Sequence, residues 1–437
     1  MRAHVSNAAY GMLDYLAYPV GLLVVTPLAL SHLGLARYGV WMFATAVLGA
    51  GSIMASGFGD ANIRQVALAR GSGNRSHLLT SVRNTMGIHA MLGVALGLVA
   101  WMLAPLLARH VGAADPGLRE ETLWSLRITS PVILVRALET VAVSTLRAFE
   151  RYGAAIGWSL LARLASLAVV ALPVLGRSVS VIMGATALLV TAALCLQFRQ
   201  LYRLLEAPLW PSFERGQARA LFSFGIFCWI QAVSTVLFGQ ADRLMTGIFV
   251  GAASVASYAL CAQLAQPVAG VVASGLHFLF PFIAARSVQG SFASLGRAVA
   301  LAFAANFLLV ALAAGALLLF GFHILLLWSG PAAAAAGRPL LPLLVLGTAA
   351  QGISVTGSYT LLALGRVRVV TLLNLAAGAA MLCAAPWLLG RFGVTGMAMA
   401  RFFCGLSTLL VYVPLGATLW AAAKTVPAAR IAACEEI

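Results

Sequence analysis

The chain has 437 residues, 62% of them hydrophobic and only 9% charged, with a formal net charge of +16 and a mean hydropathy of +0.96. Such a composition excludes an ordinary soluble domain. Apolar stretches of roughly 20 residues recur from end to end without period-two alternation, so they read as helices that cross a bilayer. Most of the positive charge sits in short connections between these stretches, where it sets topology, and no nucleic-acid partner is expected.

In chain order the apolar stretches predict about twelve membrane spans, at 9–33, 38–60, 82–108, 123–147, 154–175, 179–200, 219–249, 253–284, 297–328, 339–364, 369–390 and 394–420. The first is too long for the apolar core of a signal peptide and is expected to be retained. The fourth, 123–147, is the most charged. Read as a helix continuing to residue 151, it places Arg136, Glu139, Arg147 and Glu150 on one face, with Arg127 roughly opposite. The connection 199–218 reads as a solvated linker at the membrane interface. No connection is long enough to fold as a soluble catalytic domain. The six cysteines are scattered without a CxxC pair, so neither a disulfide framework nor a metal site is expected.

With the N-terminus inside, seventeen Lys and Arg fall on the cytoplasmic side, among them Arg64, Arg70, Arg75, Arg83, Arg151 and Arg203, and six on the opposite side. Both termini are therefore expected in the cytoplasm, with an even number of spans. Five arginines lie within spans: Arg127, Arg136, Arg163, Arg243 and Arg401. A central arginine costs about 2.5–3.5 kcal/mol of insertion free energy and usually faces a bundle interior or a wet cavity. Two readings are open for Arg136: an anion-accepting cavity, or an i,i+3 pair with Glu139 that fixes helix packing. Arg163, near the middle of the next span, is open in the same way. Asp242 and Arg243 are neighbours and point about 100° apart, which suits a structural or gating pair. Asp14 is an ion-coupling candidate or an interfacial carboxylate. Arg64 anchors the end of the second span or serves as a ligand.

The two halves of the chain match at a nearly constant offset. Leu33-Gly34 followed by Tyr38 resembles Val250-Gly251 followed by Tyr258. Gly112 corresponds to Gly330, Thr145–Arg151 to Thr360–Arg366, and Leu175-Gly176-Arg177 to Leu389-Gly390-Arg391. The expected architecture is all-α and polytopic: two six-helix lobes, 1–205 and 206–437, related by a parallel repeat. That arrangement suits alternating access by rocking of the lobes.

The residues carrying the repeat also carry a resemblance that spans nearly the whole chain. Leu33-Gly34-Leu35-Ala36-Arg37-Tyr38-Gly39-Val40-Trp41, Gly57-Phe58-Gly59-Asp60-Ala61-Asn62-Ile63-Arg64, Gln240-Ala241-Asp242-Arg243 and the turn Leu361–Arg366 resemble the polysaccharide and O-antigen (Wzx-type) flippases. These belong to the multidrug/oligosaccharidyl-lipid/polysaccharide exporter superfamily. The resemblance implies a V-shaped pair of six-helix bundles in the bacterial inner membrane. It also implies movement of an undecaprenyl-pyrophosphate-linked oligosaccharide from the cytoplasmic to the periplasmic leaflet, for surface polysaccharide such as the O-antigen of lipopolysaccharide. The implied partners are the lipid-linked anionic glycan, membrane lipids and other polysaccharide-assembly proteins. No catalytic residues and no cofactor are expected, and coupling to H⁺ or Na⁺ stays open.

The discriminating property is the sign of the cavity. A pyrophosphate calls for guanidinium groups with paired donors, whereas a cation-coupled multidrug or metabolite antiporter calls for buried carboxylates. Arg136, Arg163, Arg127 and Arg401 are the expected substrate-binding arginines. Asp14, Glu139, Asp242, Arg243 and Arg64 are the gating or ion-coupling candidates.

Overall fold

A computed structural model of the chain describes residues 2–113, 115–172, 178–214, 226, 229–230, 232–234, 239–276, 283 and 292–425, without the side chains of 2–16, 271–275, 292–295 and 419–425. Among the described residues all regular structure is helical. Eight stretches are long and apolar enough to cross a membrane, and the first of them, Ala17–Gly71, takes in two of the expected spans. The protein is a multi-pass helical membrane protein. Large aliphatic side chains such as Leu188, Leu319 and Leu327 stand exposed on the helix surfaces, as they should where the solvent is hydrocarbon.

The N-terminal helix α1 (Arg2–Ala55) is two helices joined at a sharp kink, because Gly34 takes φ 71° and ψ 171°. A side chain is strained at positive φ, so glycine marks the break where the sequence placed its first hairpin. The short α2 (Gly59–Gly71) follows, then α3 (Arg75–Val111), α4 (Pro116–Ala148), α5 (Tyr152–Ala171) and α6 (Val179–Leu205). Beyond the connection come α7 (Ala241–Val250), α8 (Ala252–Gly275), α9 (Phe292–Ser329), α10 (Pro331–Gly337), α11 (Leu341–Ala363), α12 (Val367–Phe392), α13 (Val394–Thr408) and α14 (Tyr412–Thr425). The span expected at 394–420 is interrupted by a 3₁₀ turn at Leu409–Val411, just ahead of Pro414. Nearly half of the span expected at 219–249 lies outside the described residues.

By packing, the chain divides into two compact units, Met1–Ala259 and Leu260–Ile437. This division falls later than the expected repeat boundary at 205, because α7 packs on α1 and α3 of the first unit. Within that unit α4 is the central element, in contact with α1, α2, α3, α5 and α6. Its seam with α3 is close: a Cβ added at Gly97 would stand 2.9 Å from the Ser130 carbonyl oxygen, and one at Gly93 2.9 Å from Leu134 Cα. His89 Nδ1 meets the Ala137 carbonyl at 2.9 Å along the same seam. Below it, Val82, Val141, Leu146, Ile156 and Leu201 form a buried apolar cluster. In the second unit α11 packs on α9 and α13. The buried Asn306 amide of α9 donates to the Gly352 carbonyl and the Thr356 hydroxyl of α11.

The repeat is visible in backbone detail. After α4, Phe149, Glu150 and Arg151 donate their N–H groups to the carbonyls of Thr145, Arg147 and Leu146. After α11, Leu364, Gly365 and Arg366 donate to Thr360, Leu362 and Leu361 in the same pattern. Both turns close on a buried leucine, Leu146 or Leu361, and both pass through positive φ, at Glu150 (61°) and Gly365 (76°). This is the helix C-terminal motif in which a left-handed residue returns the chain to cap the last carbonyls. Gly251, with φ 95° and ψ 177°, repeats the conformation of Gly34. Tyr38 and Tyr258 are fully buried and reach back to the preceding helix, to Thr26 and Asp242 respectively. The 175–177 to 389–391 match lies partly outside the described residues.

Two details differ from the sequence expectation. Helix α4 stops at Ala148, so Glu150 leaves the face it was expected to share with Arg136 and pairs with Arg70 at 3.5 Å. The expected solvated linker is held on α3 over residues 208–214. The Arg83 guanidinium donates to the Pro208 carbonyl at 2.8 Å, Ser212 N–H donates to the Arg83 carbonyl at 3.2 Å, and Glu214 N–H donates to Asn84 Oδ1 at 2.8 Å.

Candidate substrate cavity

A cavity of about 650 Å³ lies inside the first unit, among α1, α4, α5, α6 and α7. Both arms of the kinked α1 contribute, with Tyr18, Pro19 and Leu22 from one and Trp41, Thr45, Gly49 and Ser52 from the other. Three arginines from three helices line it: Arg136 of α4, Arg163 of α5 and Arg243 of α7. Tyr18 lies within electrostatic reach of all three guanidinium groups. Among the described residues that line the cavity, none is acidic.

Arg136 Nη1 donates to Glu139 Oε2 at 2.7 Å, one helical turn along α4. The Glu139 side chain is 6% exposed, and its Oε1 has no hydrogen-bond partner. A buried carboxylate of this kind depends on its cation, since the effective cost of burying an uncompensated ion is several kcal/mol. Arg136 thus pairs with Glu139 and at the same time lines the cavity. Among the described lining residues, three guanidinium groups face the cavity and no carboxylate does. Two further polar atoms, Ser52 Oγ and Gln240 Oε1, are buried without a hydrogen-bond partner, and both residues line the cavity. Buried polar groups left unpaired are expensive, so they mark places where a polar ligand or water gains most.

The other candidates lie elsewhere. The guanidinium of Arg127 sits over the rings of Trp101 and Trp124, at 5.3 and 5.4 Å from their centroids, outside the cavity lining. Arg401 is half-buried on α13 of the second unit and is not part of this lining. Arg64 is exposed on α2. Asp242 is buried and accepts from the Tyr258 hydroxyl at 2.8 Å and from the Arg243 backbone N–H at 2.8 Å. Its carboxylate thus serves the turn between α7 and α8 and does not pair with the Arg243 side chain. The Asp14 side chain lies outside the described residues. Sequence reasoning grouped Arg243 with Asp242 and so missed its place beside Arg136 and Arg163. The signal was present in the spacing: neighbours on a helix point about 100° apart, so the packing of one frees the other for a different face. Tyr18, Ser52 and Gln240 carried no such signal.

Several solved structures share the fold. A multidrug resistance MATE family transporter of the MOP superfamily, in an inward-facing conformation, aligns with a TM-score of 0.71 at 14% identity, over 95% of this chain and 96% of that one. The lipid II flippase MurJ, in an inward closed conformation, aligns with a TM-score of 0.75 at 12% identity, over 94% and 87%. A MOP superfamily transporter from Pyrococcus furiosus, described as having a binding pocket of reverse polarity that suggests a different function, aligns with a TM-score of 0.55 at 14% identity, over 95% and 94%. Identities this low establish the fold alone, one shared with these transporters and this flippase. No curated protein sequence matches the chain. The model of the polysaccharide biosynthesis protein family matches residues 6–287, well over half of the sequence, and the chain belongs to that family.

Proposed function

We propose that this protein is a flippase for a lipid-linked oligosaccharide, moving an undecaprenyl-pyrophosphate-linked glycan from the cytoplasmic to the periplasmic leaflet for surface polysaccharide such as O-antigen. The observation that carries this reading is the convergence of Arg136, Arg163 and Arg243 on one cavity whose described lining holds no acidic residue. Planar guanidinium groups offer paired donors to phosphate oxygens, and their attraction is strong in a site of low dielectric. A volume of about 650 Å³ accommodates a pyrophosphate and its first sugars, while a longer glycan must extend beyond it. Membership in a polysaccharide biosynthesis family and a fold shared with the lipid II flippase support the same substrate class. The repeat halves, 1–205 and 206–437, are the lobes whose rocking exposes the cavity to each leaflet in turn. The excess of Lys and Arg in alternate connections supports an inner-membrane protein with both termini in the cytoplasm.

The test is the leaflet distribution of lipid-linked glycan in a strain lacking the gene, read by a membrane-impermeant reagent on spheroplasts and on inverted vesicles. The expected result is accumulation on the cytoplasmic leaflet. Complementation by the wild-type gene reverses it, and complementation by an Arg163→Ala, Arg243→Ala variant of normal abundance does not. An unchanged distribution, together with raised retention of a cationic drug, would overturn the reading in favour of a cation-coupled antiporter.

A further inference from the structure

The cytoplasmic end of the first unit carries two clefts side by side, and the arginines in them are used differently. In the first, Arg75 donates to the Leu205 carbonyl at the end of α6, and Arg70 to the Ala148 carbonyl at the end of α4. Arg70 also pairs with Glu150 and lies over the Phe149 ring. Those two cations cap helix C-termini, where the orphan carbonyls and the helix dipole favour positive charge. The second cleft, of about 390 Å³, lies between the start of α5 and the end of α6 and is lined by Leu146, Arg151, Ala154, Gln200, Arg203 and Leu204. Its two guanidinium groups, Arg151 and Arg203, make no hydrogen bond or ion pair among the described residues.

We infer that the Arg151–Arg203 cleft binds the phosphodiester headgroup of an anionic phospholipid from the cytoplasmic leaflet. Two cations, Arg151 just ahead of α5 and Arg203 in the last turn of α6, facing one small cleft match a monoanionic phosphate, and a basic cleft between membrane helices on the cytoplasmic side is suited to acidic headgroups. Exposed apolar side chains on the two helices that meet at the cleft argue that the occupant is a lipid and not free phosphate. The same two helices present Leu161 and Leu164 of α5 and Leu188 and Cys195 of α6 as exposed apolar side chains along their length. An acyl chain packs there while its headgroup meets the arginines. The charge also selects among lipids. The ammonium of a zwitterionic headgroup comes up against two guanidinium groups, whereas a glycerol headgroup adds no cation. The site is separate from the central cavity, with which it shares no lining residue.

The experiment uses the full chain, purified in mild detergent and examined by native mass spectrometry with phosphatidylglycerol, phosphatidylethanolamine or inorganic phosphate added. Wild-type protein is expected to retain phosphatidylglycerol at least about tenfold more strongly than phosphatidylethanolamine, with no displacement by millimolar phosphate. An Arg151→Ala, Arg203→Ala variant loses that preference, and Arg151→Lys, Arg203→Lys keeps most of it, because a point charge suffices for a single phosphate. Equal retention of the two lipids by wild type, or an unchanged preference in the alanine variant, overturns the inference. Displacement by inorganic phosphate overturns it in favour of a soluble-anion site. Thermal unfolding of each variant in lipid-free detergent separates loss of the site from loss of the fold.

Discussion

Arg136 serves both a pair and a cavity, and the two roles separate in a double variant. Arg136→Gln leaves the Glu139 carboxylate 6% exposed with neither oxygen opposite a cation. Removing one member of a buried pair costs about 3–5 kcal/mol, so this variant is expected to unfold at lower temperature and to fall in membrane abundance. Arg136→Gln with Glu139→Gln removes both charges, isosterically at Glu139 and with two side-chain heavy atoms fewer at Arg136 beside the cavity, and stability returns to within about 1 kcal/mol of wild type. Export does not return. One hydrogen-bonded contact to a charged group is worth about 1.5–3 kcal/mol, which is on the order of tenfold to a hundredfold in affinity for a phosphate. The assays are thermal unfolding of purified protein and surface glycan in a complemented deletion strain, normalised to membrane abundance. Wild-type export by the doubly neutral variant at normal abundance would refute the reasoning and leave Arg136 as a packing residue alone.

Four further outcomes are expected. Arg163→Lys and Arg243→Lys each restore only part of the export lost in the corresponding alanine variants, because the ammonium keeps the charge without the planar fork; full restoration argues against bidentate phosphate contacts. Gly97→Leu forces α3 and α4 apart at the Ser130 carbonyl and is expected to cost about 1–3 kcal/mol, read as a fall in unfolding temperature; an unchanged temperature shows that the seam can yield. Asp14→Asn retains more export than Arg136→Ala, and abolition of export by Asp14→Asn with normal abundance points instead to an ion-coupled carboxylate mechanism. Reporter fusions at the C-terminus give a cytoplasmic signal and fusions within 108–122 a periplasmic one; a periplasmic C-terminus contradicts the even span count.

Much of the fold was legible because bilayers constrain sequence strongly. Apolar length located the helices, and glycine located the breaks at Gly34, Gly251 and Gly365, where the backbone needs positive φ. Glu150 shows the limit of that rule. It occupies the conformation that Gly365 takes in the other copy, and nothing in its own identity marks the end of α4 there. The cavity was half legible. A charged residue within a hydrophobic run is conspicuous, which singled out Arg136, Arg163 and Arg243, but whether a guanidinium meets a cavity or an aromatic surface depends on neighbours distant in sequence. Arg127 rests on Trp124, one turn back on α4 and visible as a local pattern, and also on Trp101 of another helix, which the local sequence does not show. The attachment of 208–214 to α3 depends on backbone carbonyls, which every sequence possesses and none displays.

The close seam between α3 and α4 bears on how fast the proposed anionic substrate would be handled. With Gly93 and Gly97 set against the Leu134 and Ser130 backbone, α4 has little freedom to roll, and the Arg136–Glu139 pair is held one turn beyond that contact. The guanidinium therefore stands oriented before any ligand arrives, and its reorganisation on binding is small, as in sites where dipoles are fixed ahead of the charge they meet. On the proposed flippase reading, capture would then require little beyond shedding water from the anion, and release would follow from rehydration of the cavity and not from the arginine swinging away.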